Sequence, residues 1–377
     1  MDLPKKLCKM QENMERKQTK MMREKIRWDI ILVLLLVIGS LWMGMKMESD
    51  SEKGKMNRYT ATFLDVFHTK TEITGYAASE ERFKEQVAHL KEKLLYYHRL
   101  YDIYNTYDGI NNMKTINDYA GIEPVVVNQE IIQLLKFSKE MYQRTNGKVN
   151  IAMGSVLSIW HDYREEGMEN PELARLPEMD ELRLAEGYTD IEQVVINEEA
   201  STVYLENENM SLDVGGIGKG YAVQKIVDYA RELGMENLVI SVGGNVCILG
   251  GKASGEEWKI GILNPELDSD VQYIKNVKAR DMCVVTSGNY QRYYTVDGVR
   301  YCHIIDPDTL MPANNFASVT IITKDSGVAD AMSTAVYNMT LEEGRQMIDR
   351  MEDIEAMWIM ENGEIFYSEN FEMYISE

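Results

Sequence analysis

One glycine-rich stretch constrains the fold of this chain more than any other. Residues 211–221 read Ser-Leu-Asp-Val-Gly-Gly-Ile-Gly-Lys-Gly-Tyr, and they follow a strand-like apolar run and open a helical pattern over residues 221–233. Glycine allows a close backbone approach or a positive φ, and the start of a helix offers unpaired N–H groups to a phosphate. Together with the charge of Lys219, the stretch predicts a diphosphate-binding turn.

The stretch differs from the common nucleotide-binding motifs. A Walker A loop requires Ser or Thr after its lysine, whereas Gly220 follows Lys219 here. The Gly-x-Gly-x-x-Gly pattern of dinucleotide folds is only partly met by residues 216–220. Glycine content alone therefore leaves phosphate binding and a plain strand-to-helix turn equally open.

Charge is divided unevenly along the 377 residues. Residues 1–27 have a balance of +5, and the remainder has a balance of −26, which gives the net charge of −21. An acidic main body argues against a nucleic-acid partner, because nucleic-acid phosphates require basic groups. We interpret the acidic surface as a source of solubility.

An apolar run near the N-terminus predicts a membrane anchor. Residues 30–38 are all aliphatic, and Trp28 and Trp42 lie near the ends of the longer apolar segment 28–45. Crossing a bilayer takes about 20 helical residues, and indole rings favour the interface. The basic flank predicts a single pass through the cytoplasmic (inner) membrane, with the rest of the chain on the extracytoplasmic side.

Two alternatives to this anchor are a cleaved signal peptide and a buried soluble helix. No Ala-x-Ala-like cleavage site follows the run, and the basic flank disfavours a soluble helix. We therefore predict a basic cytoplasmic segment at 1–27, an uncleaved transmembrane anchor at 28–45, a linker at 46–58 and one folded domain at 59–377.

The four cysteines are interpreted as thiols. None forms a Cys-x-x-Cys pair, and Cys247, Cys283 and Cys302 each lie in an apolar, strand-like context, whereas Cys8 precedes the predicted anchor. Such positions predict buried thiols and argue against a disulfide framework.

The remaining pattern predicts an α+β fold with mainly antiparallel pairing. Residues 162–190 are polar and contain two prolines, which predicts a surface excursion. Helices are predicted at 79–104, 128–145, 221–233, 328–338 and 342–351. Strands are predicted at 61–67, 71–76, 194–205, 210–214, 237–242, 246–249, 258–263, 271–277, 284–288, 300–305, 317–323, 356–359 and 365–367.

Three side chains suggest chemistry. Asp330 and Thr334 stand four apart on a helical pattern and share a face, and their oxygens suit Mg²⁺. The alternative is a capping Asp330 and a Thr334 that bonds back to a carbonyl. His303 lies where a strand meets an Asp-Pro turn and could act as a general base, although a lone histidine is often structural.

In their order along the chain, the motifs resemble the ApbE family, the FAD:protein FMN transferases. The resemblance covers roughly residue 60 to the C-terminus. Seven motifs carry it: residues 104–108 with Asn117, 147–150, 213–221, 243–245, 286–290, 303–309 and 329–334.

The resemblance implies a T-fold-like α+β domain that holds FAD and Mg²⁺ and transfers FMN from FAD to a threonine hydroxyl of an acceptor flavoprotein, with release of AMP. It implies Asp330, Thr334 and the Gly216 carbonyl as Mg²⁺ ligands and His303 as the catalytic histidine. It implies FAD contacts from Phe67, Tyr107, Lys148, Val149, Asn150, Asp213, Lys219 and Ile305. The acceptor is expected to be an exported or membrane electron-transfer subunit.

The sequence departs from the family pattern at four positions. Asn245 and Asn150 stand where the family commonly has Asp, Leu310 stands where it has Gly, and Gly218 stands where it has Ala. These differences bear on the choice of acceptor more than on the fold. The alternatives to the transferase are an FAD hydrolase that yields FMN and AMP, a non-catalytic FAD carrier, or an ectodomain that binds no ligand.

Overall fold

The computed structural model describes residues 56–376, and a compact unit spans Arg58–Glu377. The predicted cytoplasmic segment, the anchor at 28–45 and most of the linker lie outside the described residues. Within the described part, no helix is both long enough and apolar enough to cross a membrane.

Residues 56–376 contain eight α-helices and fifteen β-strands. The helices are α1 Glu80–Tyr101, α2 Met113–Asp118, α3 Gln129–Arg144, α4 Gly154–Glu169, α5 Met179–Glu186, α6 Gly218–Glu232, α7 Ser326–Tyr337 and α8 Leu341–Ile348. The strands are β1 Asn57–Val66, β2 Thr69–Ala77, β3 Val125–Val126, β4 Val194–Asn197, β5 Thr202–Leu205, β6 Leu238–Val242, β7 Asn245–Leu249, β8 Trp258–Leu263, β9 Tyr273–Ala279, β10 Cys283–Gly288, β11 Tyr293–Val296, β12 Val299–Cys302, β13 Ser318–Thr323, β14 Glu355–Ile359 and β15 Ile365–Tyr367.

An eight-stranded sheet in the order β1-β2-β6-β7-β10-β13-β14-β15 organises the domain. Every residue of β13 is buried, because both faces of the sheet are covered. Ile321 packs toward a core that includes α6 and α7, whereas the next residue, Ile322, packs toward the β8–β9 hairpin. Successive strand side chains point to opposite faces. The antiparallel pairing along this sheet confirms the predicted α+β fold with mainly antiparallel strands.

The first helical turn of α6 differs from the prediction. The helix begins at Gly218, three residues before the predicted start, so Lys219 and Gly220 are helical. Two glycines in a first turn are poor helix formers, and packing against α7 overrides their propensity. No glycine between residues 215 and 220 has a positive φ. The role of these glycines is therefore to let neighbouring atoms approach the backbone closely.

Two further predictions about secondary structure were wrong. Residues 210–214 form no strand, and only Ser211 makes an isolated bridge, to Met153. Residues 162–190 are not simply a surface excursion, because they contain the end of α4 and all of α5. The two helices also bury a small cluster of hydrophobic residues, which includes Trp160 and Leu182. The polar residues on their exposed sides obscure this cluster in the sequence.

The prediction of three buried thiols was also wrong. Cys247 and Cys283 form a disulfide, and they lie directly opposite each other in the antiparallel pair β7–β10. Their sequence separation of 36 residues gives no indication of this register. Cys302 is a free, buried thiol, as expected, and Cys8 lies outside the described residues.

The contact between α6 and α7 requires glycine at position 220. A Cβ atom there would lie 2.3 Å from the Asp330 Cβ and 2.3 Å from the Ser326 carbonyl oxygen. We expect Gly220→Ala to force the helices apart and lower the free energy of unfolding by about 1–3 kcal/mol. Urea denaturation of the full-length protein measures this loss.

Gly187→Ala is the matched control. Gly187 is exposed at the C-terminal end of α5 with an ordinary φ of −58°, and a Cβ there would meet only the Leu184 carbonyl oxygen, at 3.3 Å. Equal losses of stability in the two variants would contradict the assigned role of Gly220.

Candidate active site

The turn before α6 is held by side-chain hydrogen bonds to the backbone. The Asn117 amide clamps Leu212: its Oδ1 accepts from the Leu212 N–H at 2.7 Å, and its Nδ2 donates to the Leu212 carbonyl at 3.0 Å. Asp213 Oδ1 then accepts from the Gly215 N–H at 2.7 Å. The path of the glycine stretch is thus fixed by residues outside the helix.

Lys219 extends from the first turn of α6 back over this turn. Its Nζ donates to the Gly215 carbonyl at 2.9 Å and lies 3.9 Å from Asp330 Oδ2. The Lys219 side chain is 25% exposed, so its charge remains accessible to a ligand. The structure therefore brings together the lysine, the glycine stretch and Asp330.

Three oxygen-bearing groups converge between α6 and α7. Thr334 Oγ1 lies 3.4 Å from the Gly216 carbonyl oxygen, and Asp330 lies one turn earlier on the same face of α7. Asp330 Oδ2 accepts from the Gly220 N–H at 2.8 Å. Burial raises the pKa of Asp330, and Lys219 opposes that rise. A buried carboxylate, a hydroxyl and a carbonyl are hard oxygen donors of the kind that bind Mg²⁺.

Asn245 stands beside this oxygen set. Gly243 and Gly244, with φ of 54° and 92°, form the two-residue turn between β6 and β7. Asn245 is the first residue after this turn. The Asn245 side chain is buried, and its amide nitrogen has no hydrogen-bond partner among residues 56–376. The amide is close enough to lower the pKa of Asp330. The neutral Asn245 amide therefore lies where the aspartate common in the family would add a negative charge beside Asp330.

His303 has one ring nitrogen in a hydrogen bond to the backbone. Its Nδ1 lies 3.2 Å from the Arg292 carbonyl oxygen, which can only accept, so Nδ1 carries the proton and Nε2 the lone pair. Burial first, and then the charges of Arg292, Lys219 and Arg164, lower the pKa of His303 to about 3. The ring is therefore neutral at physiological pH and able to accept a proton at Nε2.

Two arginines belong to the site and were missed in the sequence. Burial lowers the pKa of Arg164, on α4, and the nearby charge of Arg292 lowers it as well. Both arginines lower the pKa of His303. Within residues 56–376, neither guanidinium forms an ion pair with a carboxylate. Arg164 also influences Asp213. No motif marks these positions, because their proximity depends on how α4 and the β10–β11 connection fold.

Phe67 and Tyr107 form a second group, around His98. The Phe67 and His98 ring centroids are 5.6 Å apart, and those of His98 and Tyr107 are 6.5 Å apart. The Tyr107 hydroxyl donates to Asp102 Oδ2 at 2.6 Å, and burial followed by this bond raises the pKa of Tyr107 to about 12. The structure thus brings together two aromatic residues that are 40 positions apart in sequence.

The remaining predicted FAD contacts have partners within the protein. Lys148 Nζ lies 2.7 Å from Asp306 Oδ1 and 2.8 Å from Asp308 Oδ2. The Asn150 amide bonds the Thr189 carbonyl and the Ala152 N–H. Val149 and Ile305 are both buried. Lys148 therefore ties the 147–150 segment to the turn that follows Ile305.

This turn is the place where the sequence lacks a glycine. Leu310 adopts a left-handed φ of 61°, a conformation that glycine takes without strain. Its side chain is buried with Trp160, whose Nε1 donates to the Leu310 carbonyl at 2.9 Å. Apolar packing and this hydrogen bond hold the turn that a glycine would otherwise favour.

Comparisons with known proteins match the chain to one family. The sequence profile of the ApbE family matches residues 67–358. The FAD:protein FMN transferase of Klebsiella pneumoniae is 33% identical over 254 residues, which are 67% of this chain and 76% of that protein. The FAD:protein FMN transferase of Vibrio cholerae is 31% identical over 245 residues, 64% of this chain and 71% of that protein.

Solved structures share the fold. The ApbE protein of Thermotoga maritima superimposes with a TM-score of 0.74 at 29% identity, covering 85% of this chain and 100% of that chain. The flavin transferase ApbE of Vibrio cholerae gives a TM-score of 0.71 at 24% identity, with the same coverage. At that lower identity, the likeness concerns the fold alone. The fold and the relatives define the class of the chain as a transferase. The chain belongs to the ApbE family.

The low pKa of His303 has a consequence for stability. An unfolded histidine protonates near pH 6.5, whereas folded His303 does so near pH 3, so the unfolded state gains protons first as the pH falls. Stability contributed by His303 is present above pH 6.5 and is lost progressively toward pH 3. We expect His303→Gln to reduce the loss of unfolding free energy between pH 7 and pH 5, measured by urea denaturation.

His89→Gln provides the control, because His89 is exposed on α1 and lies outside this site. It should reproduce the wild-type loss over the same pH interval. A loss in His303→Gln as large as that in the wild type would show that His303 is not held neutral by its surroundings.

Proposed function

We propose that this chain is a Mg²⁺-dependent FAD:protein FMN transferase. It moves FMN from FAD to a threonine hydroxyl of an exported or membrane flavoprotein and releases AMP. The observation that carries the proposal is the convergence of the Gly216 carbonyl, Asp330 and Thr334 beside Lys219. This convergence occurs in a chain whose relatives are named FAD:protein FMN transferases.

The oxygen set fits a magnesium ion by its chemistry. Asp330 is buried with one oxygen held by the Gly220 N–H, which leaves its other oxygen for a ligand. The long 3.4 Å contact between Thr334 and the Gly216 carbonyl is a weak bond that a cation could replace with two shorter ones. When bound, Mg²⁺ supplies neutralisation of charge on the phosphoryl oxygens.

The basic side chains suit the diphosphate of FAD. Lys219 is partly exposed at the start of a helix, where backbone N–H groups also favour anions. Arg164 is half-buried and has no carboxylate partner in the described part of the chain, which is costly for such a cation unless an anion joins it. Arg292 is exposed and lies close enough to act on Arg164. We assign these three residues to the phosphates of the bound substrate.

His303 is assigned the proton transfer. Its Nε2 accepts the proton of the threonine hydroxyl as the threonine oxygen attacks the phosphorus of the FMN half. The bond from that phosphorus to the bridging oxygen breaks, and AMP leaves with the bridging oxygen. A bound diphosphate would offset the positive charges that lower the pKa of His303, and so make the imidazole a stronger base in the substrate complex.

The other predicted contacts complete the substrate site. We propose that Phe67 and Tyr107 contact a ring system of FAD, since aromatic faces stack on flat rings. Asp213 is proposed to accept hydrogen bonds from FAD, and Lys148, Val149, Asn150 and Ile305 are proposed to line the site through the segment that Lys148 ties to Asp306.

We further propose that a single-pass anchor at 28–45 holds the domain on the extracytoplasmic side of the cytoplasmic membrane. The basic segment 1–27 would remain in the cytoplasm, and 46–58 would link the anchor to the domain. The Cys247–Cys283 disulfide supports this location, because disulfides persist in oxidising compartments.

The metal assignment predicts a specific pattern of activity loss. Asp330→Asn should lower Mg²⁺-dependent transfer roughly 100-fold or more, since an essential charge is removed. Thr334→Val should lower it roughly 10–100-fold, whereas Thr334→Ser keeps the hydroxyl and retains most activity. The assay follows AMP release from FAD and covalent flavin on a threonine-bearing acceptor flavoprotein.

The same assay separates the alternative functions. Release of AMP with covalent flavin on the acceptor supports the transferase, and AMP with free FMN regardless of acceptor favours an FAD hydrolase. FAD binding without AMP would favour a carrier. Equal activity of Thr334→Val and Thr334→Ser would overturn the role of the Thr334 hydroxyl.

The location predicts the oxidation state of two cysteines. In protein extracted from cells under denaturing, thiol-blocking conditions, Cys247 and Cys283 should resist maleimide labelling until a reductant is added, whereas Cys302 should label directly. Mass spectrometry of the peptides measures each site. Direct labelling of all three cysteines in cells would contradict an oxidising environment.

A further inference from the structure

Three side chains outside the oxygen set could hold a different metal ion. One ligand atom from each of His68, His98 and Asp102 lies within 4.8 Å of the other two. Two imidazoles and one carboxylate are donors that prefer zinc and related transition metals to magnesium. This cluster is therefore chemically unlike the set of Gly216, Asp330 and Thr334.

A strained turn brings His68 to the cluster. Phe67 and His68 connect β1 to β2, and both adopt left-handed φ values, 49° and 50°. Non-glycine residues in this region carry a conformational cost, and such strain concentrates at functional sites. The turn places the exposed His68 ring edge-on to the His98 ring, with centroids 5.1 Å apart.

The C-terminal end of α1 supplies the other two donors, His98 from its last turn and Asp102 as the residue that follows the helix. His98 and Asp102 are four residues apart at its C-terminal end, a spacing that places both on one face. The Phe67 N–H donates to His98 Nδ1 at 3.3 Å, which links the turn to the helix. The donors therefore come from two rigid elements that are already joined.

The bonds to Asp102 show which oxygen can accept a metal. Oδ1 accepts from two backbone N–H groups, of Tyr104 and Asn105. Oδ2 accepts only from side chains, the Asn105 amide and the Tyr107 hydroxyl. Rotation of the Tyr107 side chain alone frees a lone pair on Oδ2, with no movement of the backbone.

We propose that His68, His98 and Asp102 bind a divalent transition-metal ion of the Zn²⁺ type, and that this ion weakens the binding of FAD. Three protein ligands and one water complete the four-coordinate shell that zinc prefers. The second half of the proposal rests on the proposed function, in which Phe67 and Tyr107 contact FAD.

The coupling follows from what the metal displaces. Coordination at His98 Nδ1 replaces the bond from the Phe67 N–H, and coordination at Nε2 moves the ring proton to Nδ1 and breaks that bond as well. Coordination at Asp102 Oδ2 competes with the Tyr107 hydroxyl. The metal thus releases both aromatic residues from the positions they hold in its absence.

Co²⁺ titration of the full-length protein, in saturating Mg²⁺, tests the site. Four-coordinate Co²⁺ absorbs visible light far more strongly than Co²⁺ in a six-coordinate oxygen site. The intense band should appear in the wild type and in Asp330→Asn. His68→Asn should weaken Co²⁺ binding at least about tenfold. Asparagine suits the left-handed φ at this position, and the side chain is exposed.

His89→Asn is the matched control, because His89 is an exposed histidine outside the cluster. It should bind Co²⁺ as the wild type does. Absence of the band in the wild type, or an unchanged titration in His68→Asn, would overturn the metal site.

FAD binding, followed by flavin fluorescence with and without Zn²⁺ in saturating Mg²⁺, tests the coupling. Zn²⁺ should weaken FAD binding several-fold in the wild type and in His89→Asn, and should have no effect in His68→Asn. Equal FAD affinity with and without Zn²⁺ would overturn the coupling. Failure to bind FAD even without Zn²⁺ would instead contradict the proposed function, and the Co²⁺ titration would still decide the metal site.

Discussion

The distance between α6 and α7 at Gly220 determines the geometry of the candidate site. Because position 220 has no side chain, the Asp330 carboxylate reaches the Gly220 N–H at 2.8 Å and satisfies a donor in the first turn of α6. That contact fixes α7 along its axis, and Thr334, one turn further, therefore lies beside the Gly216 carbonyl. The oxygen set is a product of helix packing and not of a flexible loop, which favours precise placement of its donors.

Local charge at the site opposes the charge of the whole chain. The chain carries a net charge of −21, whereas Lys219, Arg164 and Arg292 gather around His303. An anionic substrate such as FAD is repelled by the acidic body at long range, but salt screens that repulsion beyond about 8 Å at physiological ionic strength. The half-buried Lys219 and Arg164 are screened much less than the exposed charges, so attraction acts mainly once the substrate has reached the site. The preference for anionic ligands therefore arises from the basic side chains at the site and not from the charge of the whole chain.

The sequence patterns indicate those parts of the candidate site that depend on residues close together in the chain. The spacing of Asp330 and Thr334, the glycine stretch and the Asp-Pro turn beside His303 are local patterns, and the structure places the first two together. The sequence patterns did not predict Arg164 and Arg292 or the Cys247–Cys283 pair, because these depend on the register of distant segments. The start of α6 was missed because packing against α7 overrides the low helix propensity of glycine.

The Cys247–Cys283 bond has a mechanical consequence for the centre of the sheet. Side chains on a strand alternate between faces, so a slip of one residue between β7 and β10 would turn Asn245 away from Asp330. A covalent bond two residues from Asn245 makes that slip impossible while the bond is intact. Thermal motion can still bend or separate the outer strands. The alignment of Asn245 with the helix that carries Asp330 should be the last to be lost.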